Sequence, residues 1–299
     1  MNMLSTFLSS LPATIEQGLI FSILALGVMI TYAVLDFPDL TVDGSFPLGG
    51  VVSVSLILRG WHPLAALAGA VLAGALAGLC TGLIHVKMKV RDLFSGVIMM
   101  TALYAVNLRI AGEKPMLSIP RKAVTLFRNN PVARLLPEGY SGIVIALIAA
   151  LLLKYLIDWF FKTRYGCLLR AAGDNEQVVT QLARDKGSVK IVGLSLANAL
   201  VALSGGIYCQ QQRLFEPSLG TGMLVMGLAA SIIGLTVFKH AEKVNKSTGA
   251  ICGAILYKLC MAAVIAMGLS PKDKNLVSAG LLLCILALGK RKGRAKKHA

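Results

Sequence analysis

The chain has 299 residues, 56% of them hydrophobic and only 15% charged, with a formal net charge of +16 at pH 7 and a mean hydropathy of +0.73. Soluble domains hold about 45–50% apolar and about 25% charged residues, so one water-soluble globule is excluded and a polytopic membrane protein is indicated. The positive charges lie at the ends of apolar runs and in connecting segments, where they set orientation, and this excludes nucleic acid as a partner.

Several apolar runs reach the roughly 20 residues that cross a bilayer core of about 30 Å. The first predicted span covers 13–35, with Thr14 and Gln17 spaced as a capping box at its start. It lacks the basic flank of a signal peptide and is retained as a span. A polar stretch, 36–45, carries Asp36, Asp39 and Asp43 and reads either as a loop or as a break inside the membrane. A short span over 46–60 follows, then 64–86, whose Ala66, Ala70, Gly74, Gly78 and Gly82 place a small residue at every fourth position. Such a ladder lets another helix backbone approach closely. The fourth span covers 93–112. A basic loop, 113–139, contains Asn130-Pro131, a helix-start signal, and leads to the fifth span, 140–161.

The hydrophilic stretch 162–190 comes next. Its part 176–184 is predicted helical, with Val178, Val179 and Leu182 on one face and Asp174 and Glu176 near the N-terminus. Physics alone lets such a helix press on another protein or lie on the membrane surface. Four further spans cover 191–209, 221–238, 248–267 and 275–289, before a basic tail at 290–297. The fold class is therefore an all-α transmembrane helical bundle of about 8–10 spans, a single domain over 1–299. An outside N-terminus puts 87–91, 162–190, 239–246 and 290–297 in the cytoplasm. Those segments hold 18 Lys or Arg against 10 on the other side, which favours a cytoplasmic C-terminus.

Six cysteines without CxxC spacing and four scattered histidines spell no metal site and no disulfide framework. Polar residues inside spans are costly and therefore candidates for a solute pathway. Asn107, Asn198 and Lys258 qualify, with Asp39, Asp43 and Ser45 in or beside the break. Helix–helix hydrogen bonds, worth about 0.6 kcal/mol on average, account equally for the asparagines and for Ser195. Lys258, near the centre of its span, has three options: snorkelling, pairing with a carboxylate, or facing a cavity. Lys154 and Asp158, one turn apart, read as a local ion pair. The aspartates of the break either meet a cationic substrate group or, the preferred reading, cap the short second span.

Between the fifth and sixth spans stand Thr163, Gly166, Arg170, Ala171, Gly173 and Asn175, in register with the pattern T-x-x-G-x-x-x-R-A-x-G-x-N. This segment resembles the cytoplasmic coupling loop of ABC importer permeases of the branched-chain amino-acid and ribose family. Asp39-Leu40-Thr41-Val42, Leu203-Ser204-Gly205-Gly206, Gly220-Thr221-Gly222 and Ala229-Ala230-Ser231-Ile232-Ile233-Gly234 are similar to further motifs of that family, so the resemblance spans most of 13–240. Asp185-Lys186, Leu235, Met223 and Leu224 depart from its pattern, marking a divergent branch similar to permeases linked to aromatic amino-acid uptake.

The resemblance implies a non-enzymatic permease subunit in a bacterial cytoplasmic membrane, working by alternating access on a small polar solute, an amino acid. The implied coupling segment is 163–185. The implied partners are an ATP-binding cassette subunit, an extracytoplasmic binding protein docking on the 113–139 loop, and a second permease copy. That loop reads equally as a basic membrane-surface segment. The chain carries no G-x-x-x-x-G-K-[ST] loop, so ATP and Mg²⁺ belong to the partner and no cofactor to this chain. An ATP-independent secondary transporter or channel is the alternative class, and an intramembrane enzyme would need a titratable cluster that the sequence lacks.

Overall fold

A computed structural model describes residues 3–129, 140–174, 186–238, 245–267, 276–280 and 282–283. The elements are α1 Met3–Met29, α2 Val42–Leu58, α3 Pro63–Lys87, α4 Asp92–Ile110, α5 Ser141–Lys162, α6 Arg164–Asp174, α7 Lys186–Gln212, α8 Met223–Val237 and α9 Lys246–Ala266. One two-stranded antiparallel ribbon, β1 Leu117–Ser118 with β2 Leu214–Phe215, sits beyond the ends of α4 and α7. Helices dominate because hydrocarbon offers backbone groups no partner, and a helix satisfies them within its own segment.

Among the described residues, seven helical segments are long and apolar enough to cross a membrane: Leu8–Val34, Pro63–Lys87, Asp92–Ile110, Ser141–Lys162, Gly187–Gln212, Pro217–Val237 and Lys246–Ala266. With the shorter α2, they match the first eight predicted spans. Most of the ninth lies outside the described residues, as do 130–139, 176–184 and the tail. Where residues 276–280 begin it, the Tyr257 hydroxyl donates to Ser278 Oγ at 2.7 Å.

Three local expectations change. Helix α1 starts at Met3, well before Thr14, whose hydroxyl donates to the Ser10 carbonyl inside the helix; a capping-box spacing inside a continuous apolar run is no boundary. Helix α2 starts at Val42, not at 46, so Asp43 and Ser45 are helical. The described helix of the hydrophilic stretch is α6, over a part not predicted helical and with Asp174 as its last residue, whereas the predicted helix over 176–184 lies outside the described residues.

Helix α1 runs through the core, with Ile20, Ile23, Leu24, Leu26 and Met29 fully buried. Outer helices turn Leu72, Leu76, Leu152, Tyr155 and Trp159 outward, where lipid tails would lie. The small-residue ladder of α3 faces α7. A Cβ on Gly78 would strike the Leu194 carbonyl, and one on Gly82 would lie 2.9 Å from Ile191 Cα. Helices α2 and α7 touch as closely, Gly49 against the Ala202 backbone and Gly205 against the Phe46 carbonyl. Phe21, Phe46 and Tyr208, with centroids 5.2–5.9 Å apart, fill the space between α1, α2 and α7.

Candidate functional site

Helix α1 ends in a π-helical turn, Ile30–Val34, closed by Leu35 N–H donating to the Ile30 carbonyl at 3.0 Å. Such turns mark places where a helix must yield. Asp36 then takes a left-handed φ of 51°, and the chain runs non-helically to Thr41. At about 1.5 Å per residue the 17-residue α2 is about 25 Å long, short of a hydrocarbon core of about 30 Å. Its start also packs beside Asn198, near the middle of α7. Along this non-helical stretch Phe37, Asp39 and Thr41 are buried while Asp36 and Pro38 are exposed, so the break runs along the bundle and turns every second side chain into it.

Buried polar groups hold the break shut. Thr41 N–H donates to Asp39 Oδ1 at 2.9 Å, and Asn198 Nδ2 donates to Asp39 Oδ2 at 2.7 Å. Ser45 Oγ donates to Asn198 Oδ1 at 2.7 Å, and the Thr41 and Thr81 hydroxyls share a hydrogen bond of 2.9 Å. Asp39, Thr41, Ser45, Thr81 and Asn198 are all buried. Three of the sequence candidates thus bond to one another across three elements. Ser195 serves helix packing, its hydroxyl donating to the Ala75 carbonyl at 2.8 Å.

Asp43 does not cap its own helix. Its carboxyl accepts Gly222 N–H at 3.3 Å and Leu224 N–H at 2.7 Å, so the acid of the first turn of α2 caps the N-terminus of α8. Gly222 permits this, standing at φ 81° as the left-handed N-cap. The 3₁₀ turn Pro217–Gly220 brings the chain to this point, with Gly220 pressed on the Asp43 carbonyl. Two short helices, α2 and α8, therefore begin at one half-buried clasp. Asp43→Ala should destabilise the protein by about 1–2 kcal/mol while Asp43→Asn, itself a good cap, costs less; unfolding in mixed micelles measures the difference.

A cavity of about 270 Å³ on one side of the clasp is lined by Asp43, Asn107, Thr101 and Tyr104 among others. Asn107 Nδ2 donates to the Gly44 carbonyl at 3.2 Å, whereas its buried Oδ1 has no protein partner among the described residues. A second cavity, of about 260 Å³, lies on the other side, and Thr221 lines both. Lys258 lines this second one. Its Nζ lies 3.9 Å from the Phe21 ring centroid, a contact that sequence reading missed.

At one end of the bundle α6 is docked against α5, α7 and the end of α1. The Thr163 hydroxyl donates to the Phe160 carbonyl at 2.6 Å and accepts Gly166 N–H at 3.3 Å, closing one helix and opening the next. Gly166 lies against Phe160 and Phe161 backbone, and Gly173 against the Val34 carbonyl, with no room for a side chain. Leu169 and Ala172 are buried in the main core, and Ala171 is half-buried. Arg170 remains exposed, its guanidinium 4.8 Å over the Phe161 ring. Most of the motif therefore faces inward, and Arg164, Tyr165, Cys167 and Arg170 form the exposed face. Asn175 lies outside the described residues.

The family model described as the branched-chain amino acid transport system permease component matches residues 11–286. The chain belongs to this permease family. Its relatives include a tyrosine transport system permease protein of Clostridioides difficile, 37% identical over 94% of this chain and 92% of the relative. The ribose import permease RbsC of Escherichia coli is 24% identical over 93% and 84%. A probable branched-chain amino acid transport permease LivH of Methanocaldococcus jannaschii is 28% identical over 74% and 73%. The permease also uses its predicted ion pair more widely than expected. Asp158, 3.5 Å from Lys154, accepts bonds from Asn245, at 3.2 Å, and from Ser247, tying α5 to the start of α9.

Proposed function

We propose that this permease is the membrane-spanning subunit of an ABC importer for an amino acid. An extracytoplasmic binding protein supplies the solute, a separate cassette subunit holds ATP and Mg²⁺, and a second copy of the permease completes the pathway in the bacterial cytoplasmic membrane. The observation that carries the reading is the seat of α6. Its Gly173 rests on Val34, while Gly193 of α7 lies between Leu35 and Leu169. A push on the exposed face of α6 therefore reaches the π-turn of α1 directly, and the Asp39–Asn198 network a few residues further on. Rigid-body rocking driven in this way would reopen the bundle around a midplane site. The 37% identical relative, named for tyrosine transport, favours an amino acid with an aromatic side chain.

The test is reconstitution with the cassette subunit and binding protein in proteoliposomes, reading L-tyrosine uptake and ATP hydrolysis together. Anchoring side chains at such interfaces are each worth about 2 kcal/mol, so Arg170→Glu should weaken cassette binding about thirtyfold. Gly173→Leu has no room against the Val34 carbonyl and should lift the short helix α6 off its seat, so that ATP hydrolysis by the cassette subunit no longer answers to substrate. Unchanged stimulation in both variants sinks the coupling role of α6, and absent uptake by the wild-type complex sinks the amino-acid reading.

A further inference from the structure

We propose that the cavity between α2, α4 and the 3₁₀ turn before α8 is a seat for the primary ammonium of the imported amino acid, with Asn107 Oδ1 and the Asp43 carboxyl as its acceptors. This rests on the amino-acid import reading and assigns it a site.

Asn107 points to the ligand. The residue is 1% exposed and lines the cavity. The Gly44 carbonyl fixes which way its amide faces. That carbonyl accepts from Nδ2 at 3.2 Å, and a reversed amide would set one oxygen against another. Oδ1 is therefore the end left over, buried and without a hydrogen-bond partner among the described residues. Burying an unpaired acceptor costs its lost hydration, and such exceptions in a folded protein call for a partner from outside the chain.

Asp43 supplies the sign. Its half-buried carboxyl is the only charged side chain among the described residues that line the cavity. A carboxylate accepts about four hydrogen bonds, and the N–H groups of Gly222 and Leu224 do not use them all. Those bonds also satisfy the start of α8, whose positive end would otherwise favour an anion. A neutral acceptor beside a negative one selects a cationic donor, and an ammonium carries N–H groups enough for both.

The walls suit the rest of an amino acid. Pro47, Met100 and Pro217 give apolar surface, and the exposed Tyr104 offers its ring to an aromatic side chain. A volume of about 270 Å³ is just below the usual range of about 300–1,000 Å³ for small-molecule sites, which fits one amino acid. An occupant held by both acceptors would tie α4 to the clasp at which α2 and α8 begin. A primary ammonium also heads phosphatidylethanolamine, so the test separates the two sources.

The experiment uses the full-length permease alone in phosphatidylcholine nanodiscs, with empty nanodiscs as the baseline. It reads ¹⁹F NMR line widths of 3-fluoro-L-tyrosine and of 3-(3-fluoro-4-hydroxyphenyl)propanoic acid, which has the same ring and carboxylate but no amine. The tyrosine probe should broaden and sharpen again on adding unlabelled L-tyrosine, and the acid should stay sharp. Hydrogen bonds to charged groups are the stronger ones, so Asp43→Asn should weaken binding about tenfold or more. Thr101→Trp, at an exposed lining position of α4, should block the seat. Ala105→Trp, exposed on α4 but outside the lining, should leave binding intact. Equal broadening of the two probes overturns the seat, as does no broadening at all or full binding by Asp43→Asn or Thr101→Trp. Equal loss in the two tryptophan variants overturns it as well. Loss of binding when phosphatidylethanolamine replaces phosphatidylcholine assigns the cavity to a lipid headgroup and overturns it too. The probe pair decides on wild-type protein, so misfolding of a variant cannot rescue the seat. Tyrosine import by the assembled complex alongside a permease indifferent to the amine removes the seat and leaves the import reading standing. Amine-selective binding without import removes the import reading and leaves an amine site.

Discussion

Gly49→Val should abolish a folded permease, with no monodisperse peak on size-exclusion chromatography in mild detergent. A Cβ at this position meets the carbonyl oxygen, carbonyl carbon and Cα of Ala202, the last at 2.6 Å. All three are backbone, so no side chain can swing aside and α2 must separate from α7. Overpacking typically costs about 1–3 kcal/mol and sometimes more; this site belongs at or above the upper end. Helix association in lipid depends on close van der Waals packing, because tails are as apolar as the helices themselves. Separation would also break the Ser45–Asn198 bond, one turn away along α2, and lift Phe46 from Gly205. Gly49→Ala should be intermediate. Ala68→Val is the control, because Ala68 lies on the exposed face of α3. Equal yield and equal melting for Gly49→Val and Ala68→Val would refute the close approach.

The glycine at position 49 also shows how far the sequence could be read. The ladder from Ala66 to Gly82 is a pattern on one helix, so its purpose was visible, but its partner α7 is more than a hundred residues away and no periodicity names it. Asp39 and Asn198 were each conspicuous as polar residues among apolar ones. Their bond depends on the register of two helices 159 residues apart in sequence, which local pattern does not encode. Asp43 carried a true signal with the wrong addressee: an acid in a helix first turn, bonded to the N-terminus of α8. Helix α6 was missed because Gly166 and Gly173 each weaken a helix by about 1 kcal/mol relative to alanine. Tertiary contact overrides that propensity, and the same glycines are what let α6 lie against backbone. The motif they belong to was legible as a resemblance, but whether its residues face a partner or the bundle was not. Lys258 posed the reverse difficulty, since its oddity was plain and only the position of Phe21 decides where the ammonium points.

Asn198→Asp should destabilise the permease severely, and Asp39→Asn should rescue it. In the wild type the Asn198 amide is a bridge, donating from Nδ2 to Asp39 Oδ2 at 2.7 Å and to the Leu194 carbonyl at 3.0 Å, and accepting Ser45 Oγ at 2.7 Å. The single substitution sets one carboxyl against another in a buried place, with two acceptors facing each other at hydrogen-bond distance. Two carboxyls so close cannot both ionise, and breaking a buried charged contact costs about 3–5 kcal/mol. In the double variant the donor and acceptor are exchanged, with an amide at position 39 and a carboxylate at position 198. The new amide nitrogen donates to the new carboxylate, the amide oxygen still accepts Thr41 N–H, and the carboxylate still accepts the Ser45 hydroxyl. The donation to Leu194 is lost and its carbonyl then faces a carboxylate oxygen, so the double variant should fall about 1–3 kcal/mol below wild type but well above Asn198→Asp. Asp39→Asn alone should be mild, because the Asn198 amide can turn over and the Ser45 hydroxyl can reverse its role. Unfolding of the four proteins in mixed micelles gives the coupling energy directly, and residues that share a bond show one of about 0.5–3 kcal/mol. A double variant no more stable than Asn198→Asp would mean that the break is held by something other than this pair. Rescue would establish that the non-helical stretch before α2 is pinned to the centre of α7, the place a push on α6 has to loosen.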